Sequence, residues 1–288
     1  MSFDEFLSAA WSDHADRPQE VADRLAASFH VLQSPAQVAP FANLLAHVNG
    51  EHLGHWQRGI ELLQALRSVP AFDGNATTSG ALDRHVATLR YASGDAAALA
   101  PLAAAERAAV LASSAPIFAG RGQWKIGIAA YTEALAIAGA GLPANAPAIR
   151  ALAVGGNNLA VALEGKADRD AGETQGMIAA AQGALTYWRQ AGTWLEEERA
   201  HYRLARTLIA AGDPAAAANS AQRCIDVCVG HDAPAFEAFF GWTALAVAQR
   251  ALGEDINYAA SRAHALALFE QIPQDEQAWC KPAIDELR

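Results

Sequence analysis

Apolar residues recur along nearly the whole chain at the three-to-four-residue spacing of a helix facing a core. Leu62, Leu63 and Leu66 form one such stripe, Tyr131 and Leu135 another, and Leu204, Ala205 and Leu208 a third. Glycine and proline punctuate the stripes. The pattern predicts helices near 3–15, 18–32, 35–51, 55–68, 80–93, 96–119 with a break near Pro101, 123–139, 145–164, 173–190, 194–211, 214–229, 234–252, 256–271 and 275–287. Pro18, Pro35, Pro147, Pro214 and Pro234 stand at helix starts, where a missing N–H is least costly. The segment from Pro70 to Gly80, rich in Gly, Asn, Thr and Ser, reads as a loop. The last helix carries Asp275, Glu276, Lys281, Asp285 and Glu286 and reads as a polar cap.

Composition strengthens the all-helical reading. About a quarter of the 288 residues are alanine, the best helix former and a poor strand former. Formal charge is −10, from 31 acidic and 21 basic residues. That disfavours a general nucleic-acid or anionic-membrane surface. The start, Met1-Ser2-Phe3-Asp4-Glu5-Phe6, lacks the basic-then-apolar pattern of a secretory signal. No run of about 18 apolar residues predicts a membrane span. Three cysteines, Cys224, Cys228 and Cys280, are too few and odd in number for a disulfide framework, which makes the cytoplasm the default expectation.

Internal repetition organises the helices into pairs. Gly54-His55-Trp56-Gln57-Arg58-Gly59-Ile60 and Gly122-Gln123-Trp124-Lys125-Ile126-Gly127-Ile128 share G-x-W-x-x-G-I at a spacing of 68 residues, twice 34. Tyr202 to Leu208 leads into Gly212-Asp213-Pro214 and then Cys224-Ile225. Thr243 to Ala248 leads into Gly253-Glu254-Asp255 and then Ala265-Leu266, the two glycines being 41 apart. Asn158 to Leu163 begins a further copy, Leu159 preceding Leu204 by 45. Each unit is helix, glycine turn, helix. A hairpin of this kind cannot bury its stripe alone and stacks on its neighbours.

On these residues the chain resembles the tetratricopeptide repeat (TPR) family, in its long-repeat form, over residues 35 to 272. The match is best at Leu204, Ala205, Leu208, Gly212, Asp213, Ala217 and Ala221, and good at Gly122, Trp124, Gly127, Tyr131 and Ala134. The resemblance implies an all-α, TPR-like α-α superhelix, a solenoid of antiparallel helix hairpins with a C-terminal capping helix. It predicts one domain over 1–288, with N-terminal hairpins at 1–69, repeats at 80–272 and the cap at 274–288.

The resemblance also implies a function class: a non-enzymatic scaffold or adaptor, similar to bacterial regulators of this type, holding a protein or peptide partner in a concave groove. Arg199, Arg203 and Arg206 fall at i, i+4 and i+7 on one helix face with Tyr202 beside them. Asn158 occupies the helix position at which such proteins place a groove asparagine. These five are the candidate ligand-binding residues, suited to an acidic or C-terminal carboxylate group because the guanidinium fork pairs bidentately with one. The competing reading is a solvated face paired with Glu196, Glu197 and Glu198. A sensor for a small acidic ligand, an enzyme with a groove site, and a homo-oligomer joined through alanine-rich faces are the alternatives.

Other constellations carry less. His47, Glu51 and His55 are spaced four apart with His52 beside them, a pattern that suits zinc or iron. Gly54 is expected to end the helix before His55, so a polar turn is the favoured reading and no metal or cofactor is expected. Cys224 and Cys228 read as small buried residues. Gly155-Gly156-Asn157-Asn158 lacks the preceding strand of a phosphate loop. Trp56 and Trp124 sit at repeat positions expected in the core, while Tyr187, Trp188, Trp194 and Trp242 are less regular and suit either core or groove. No catalytic residue is assigned.

Overall fold

The computed structural model describes residues 2–288, and among them every regular element is a helix. The α-helices are α1 (Phe3–Asp13), α2 (Pro18–Ala27), α3 (Pro35–His47), α4 (Trp56–Ala65), α5 (Ala76–Ala92), α6 (Ala104–Gly120), α7 (Trp124–Gly139), α8 (Pro147–Glu164), α9 (Ala171–Ala191), α10 (Trp194–Ala210), α11 (Pro214–Gly230), α12 (Ala235–Leu252), α13 (Asp255–Phe269) and α14 (Gln277–Glu286). No helix among the described residues is long and apolar enough to cross a membrane. The chain forms two compact units, the first ending at Ala151 and the second spanning Leu152–Arg288, with the division inside α8. The loop after Pro70 is shorter than its composition suggests. Asn75 caps α5 by accepting a bond from the Thr78 amide at 2.8 Å, which draws Thr77, Thr78 and Ser79 into the helix.

In the first unit, α1 to α5 enclose an apolar core built on Phe6, Val21, Leu25, Phe41, Leu45, Leu63, Leu82 and Leu89. Between α3 and α4 the chain makes one π-turn over Val48–Leu53, closed by Gly54 at φ +65°. The α6–α7 hairpin turns at Gly122, φ +74°. Gly127 then brings the backbones together: a Cβ on it would lie 2.6 Å from the Ala115 carbonyl oxygen. Trp56 and Trp124 are half-buried, and the Arg121 guanidinium covers the Trp56 ring at 5.2 Å.

The second unit shows the hairpin stacking most plainly. Helix α10 packs on α9, α11 and α12, α11 packs on α12, and α12 packs on α13. Helices α10, α11 and α12 therefore each meet their hairpin partner and a neighbouring hairpin, the arrangement of a TPR-like array. Gly212, φ +79°, ends α10. Asp213 then caps α11 by accepting from the Ala216 amide at 3.0 Å, and Pro214 opens the helix. Gly253, φ +74°, turns α12 into α13. The capping helix α14 is more than a solvated lid. Cys280, Ala283 and Leu287 bury against Phe239 and Ile272, while Tyr258 and Arg262 bond the Leu287 carbonyl at 3.0 and 2.8 Å.

The contact at Gly127 predicts an asymmetry between two glycine substitutions. Gly127→Ala forces backbone apart and should cost about 1–3 kcal/mol. Gly120→Ala, at a helical position with nothing within 4 Å of the new Cβ, should be neutral or stabilising by up to about 1 kcal/mol. Urea denaturation of both variants checks the pair.

Candidate functional site

Helix α10 begins with a capping box. Thr193 accepts from the Leu195 amide at 3.3 Å, and Glu196 accepts from the Thr193 amide at 2.7 Å. From that start two faces emerge. Glu198, His201, Ala205 and Leu208 run at i, i+3, i+7 and i+10 and are buried. Arg199, Tyr202, Arg203 and Arg206 form the neighbouring face. Along α12, Glu237, Gly241, Ala244 and Ala248 make the matching buried stripe.

An open cavity of about 430 Å³ lies where these helices meet, wholly within the second unit. Asn157 lines it from α8, Trp188 from α9, Glu196, Glu198, Arg199, Tyr202 and Arg203 from α10, and Phe236, Glu237 and Phe240 from α12. Its wall is aromatic: the Phe240 ring lies 5.4 Å from Tyr202 and 5.2 Å from Phe236.

The floor is acidic and thiol-bearing. Glu198 is only 1% exposed. Its Oε2 accepts from the Cys224 thiol at 3.2 Å and faces the Cys228 sulfur at 3.8 Å. Its Oε1 is buried with no donor, which is satisfied when that oxygen carries a proton and donates to Glu237. Burial, reinforced by the bond to Glu237, pushes the Glu198 carboxyl up to about 9, so it is a neutral acid at neutral pH. Burial also acts to raise Glu237. The bonds from Arg199 and Glu198 outweigh it and hold that carboxyl below its usual range. Arg199 makes the bidentate pair, with Nε 3.0 Å from Glu237 Oε2 and Nη2 on Oε1. The Cys224 thiol is raised by its bond to Cys228 and by burial, which keeps it protonated and unreactive. Glu198, Cys224 and Cys228 have the donor types of a metal site, yet binding an ion there would require stripping the protons that Glu198 and Cys224 retain.

The sequence-predicted residues separate in space. Arg199, Tyr202 and Arg203 line the cavity, whereas Arg206 and Asn158 do not. Each arginine faces a carboxylate from another helix: Arg199 pairs with Glu237, Arg203 with Glu164 at 2.7 Å, and Arg206 with Glu286 at 2.5 Å. Arg206 thereby ties α10 to the capping helix. Asn158 accepts from the Asn157 side chain at 3.2 Å, and Asn157 is the asparagine at the cavity. Trp194 stacks on His231 at 5.2 Å and Trp242 on His264 at 4.4 Å, leaving Trp188 as the tryptophan of the wall.

No protein-family model and no curated protein matches the sequence. Solved structures of similar helical arrangement include the Podosopora anserina protein described as a kinesin light chain with nearly identical TPR-like repeats. It is 16% identical, with 76% of this chain and 96% of that one covered, at a TM-score of 0.46. The Rap protein solved in complex with Competence and Sporulation Factor is 11% identical, with 99% and 84% covered, at a TM-score of 0.43. The stacking of hairpins in this chain, rather than these distant likenesses, is what makes its fold TPR-like.

The neutral state of Glu198 has a measurable sign. Folded, its carboxyl titrates near 9; unfolded, it returns to its ordinary value near 4.5. Between those values the folded chain holds a proton that the unfolded chain has lost, so this group's contribution to stability falls as pH rises across the window. Glu198→Gln mimics the neutral acid. Thermal melts should show wild type losing stability from pH 5 to pH 9 more steeply than the Gln variant; parallel slopes would refute the protonated state.

Proposed function

We propose that the chain is a non-enzymatic binding module that holds an extended segment of a partner protein or peptide against the cavity formed by α8, α9, α10 and α12. The observation supporting this reading is the combination of aromatic walls with guanidinium donors in one open cavity. An apolar side chain of the segment seats against Tyr202, Phe236 and Phe240, the kind of desolvated aromatic pocket in which interface hot spots concentrate. Arg199 and Arg203 supply donors to the segment's acceptors. A guanidinium has five N–H donors, and Glu237 engages two on Arg199 while Glu164 engages one on Arg203. Because both arginines are already charge-compensated, main-chain carbonyls can take their remaining donors, and an acidic partner is accommodated without being required.

A second reading rests on the cavity's size and its polar lining. A volume of about 430 Å³ lies within the roughly 300–1,000 Å³ of small-molecule pockets, and Asn157, Arg199 and Arg203 place polar groups around it. A sensor of a small polar metabolite is the form this takes.

A random peptide display library panned on the full chain distinguishes the two. Enriched peptides should lose at least about tenfold in affinity, or 1.4 kcal/mol, on Phe236→Ala and on Arg199→Lys, which keeps a cation beside Glu237 but lacks the planar fork. Peptides that bind both variants as they bind wild type would place the groove elsewhere. Failure to enrich any peptide, with a rise in Tm on small-metabolite screening, would favour the sensor.

A further inference from the structure

The first unit carries a histidine cluster that the groove does not use. His14 ends α1, His47 ends α3, and His52 lies five residues on, within the π-turn. On a regular α-helix residues five apart stand about 140° apart around the axis. The π-turn adds a residue to the turn and swings His52 back over His47. Their Nε2 atoms are 3.1 Å apart. The His14 ring lies 5.0 Å from each of the other two, and one ligand atom from each of the three falls within 4.8 Å of the others. The Trp11 ring packs on His14 and His47 at 5.0 and 5.4 Å.

The second ring nitrogens of His47 and His14 are already committed. His47 Nδ1 faces Glu51 Oε2 at 3.0 Å, and His14 Nδ1 faces the Trp11 carbonyl at 2.5 Å. An acceptor on Nδ1 fixes the proton there and leaves the Nε2 lone pair outward. That carboxylate–histidine and carbonyl–histidine pairing is the outer shell that orients metal-bound imidazoles. Within the cluster itself His52 can donate its Nε2–H to His47, while the partly exposed His14 nitrogen faces the same space. A single cation would engage all three rings at once.

We propose that His14, His47 and His52 form a three-histidine site for a zinc-class divalent cation, with Glu51 orienting His47 and a fourth position left to water or another ligand. Three imidazoles with an open position suit zinc and its neighbours in the first transition row. With Zn–N bonds of about 2.0–2.1 Å, tetrahedral ligands stand about 3.3 Å apart, close to the His47–His52 separation. The third ligand, from His14, lies within 4.8 Å of the other two, so the end of α1 would draw in to complete the set, keeping the Trp11 carbonyl bond. All three rings are partly exposed, which gives the ion a way in. His55, which sequence spacing had grouped with His47 and Glu51, lies past the left-handed turn at Gly54 and is exposed outside the cluster. The ion would clamp α1 to the end of α3.

The test uses the untagged full chain, stripped with a chelator and titrated with zinc chloride by calorimetry. One equivalent should bind and raise Tm, and His14→Gln, at a helix end, should weaken binding at least tenfold, as should His52→Gln. Glu51→Gln should weaken it by about 10–100-fold, while His55→Ala should not change it. Cobalt(II) should give the visible absorption of a four-coordinate ion without a thiolate charge-transfer band. Absence of binding, binding unchanged in both histidine variants, or a thiolate band pointing to Cys224 and Cys228 would each overturn the site. Circular dichroism of the metal-free variants confirms that lost binding is not lost folding.

Discussion

Two helices pack most closely where the side chain between them is absent, and the second unit has one such place. A Cβ on Gly241 would come within 3.0 Å of Cys224 Sγ and Ile225 Cγ1. Helix α12 therefore rides closely on α11, and α10 packs on both. One turn earlier on α12, the same approach presses Glu237 toward Glu198, and Cys224 touches Gly241's position on one side and Glu198 on the other. The close contact that permits stacking thus also creates the buried acid pair. A larger residue at 241 would press on Cys224 and Ile225, and through Cys224 on the partner of Glu198.

Once the acids are forced together, the remaining charges follow. Two ionised carboxylates in one desolvated site repel strongly, so one keeps its proton and the other takes the cation. Glu198 holds the proton and Glu237 holds Arg199. The thiols of Cys224 and Cys228 complete the donor set around Glu198 Oε2. Arg203 and Arg206 repeat the logic with Glu164 and Glu286, so the arginine face is a series of interhelical ties that also borders a cavity. A face of free cations would attract anions indiscriminately. Compensated arginines instead offer directed donors, which favours shape and hydrogen-bond geometry as the basis of recognition.

The helices and their hairpin pairing were legible because they depend on local signals: helical periodicity, glycine at a left-handed turn, aspartate and proline at the next start. The fourteen predicted segments correspond in order to α1 to α14, with ends displaced where caps such as Asn75 act. The arginine face was legible for the same reason, since i, i+4 and i+7 is a statement about one helix. What each arginine meets was not, because Glu237, Glu164 and Glu286 lie 38, 39 and 80 residues away in the chain. One signal of the buried acids is local. Glu196, Glu197 and Glu198 look like a single solvated block, yet Glu198 alone falls in register with Ala205 and Leu208. Glu237 likewise stands in the stripe of Gly241, Ala244 and Ala248.

That register rule separates structural polar residues from candidate functional ones in both units. A charged group on the outer face of a hairpin costs little and implies little. The same group within the apolar stripe costs desolvation and persists only where partners compensate it. Glu198 and Glu237 satisfy this through a shared proton and Arg199. The histidines obey a related rule by a different route: His47 and His52 would diverge on a regular helix, and the backbone departs from α-geometry over Val48–Leu53 so that they converge. A sequence reading that assumes one period throughout groups His47 with His55 and misses His14, which comes from another helix. Local departures from the repeat, in register for the acids and in helical pitch for the histidines, therefore mark both candidate sites on a scaffold whose alanine-rich stripes otherwise serve packing alone.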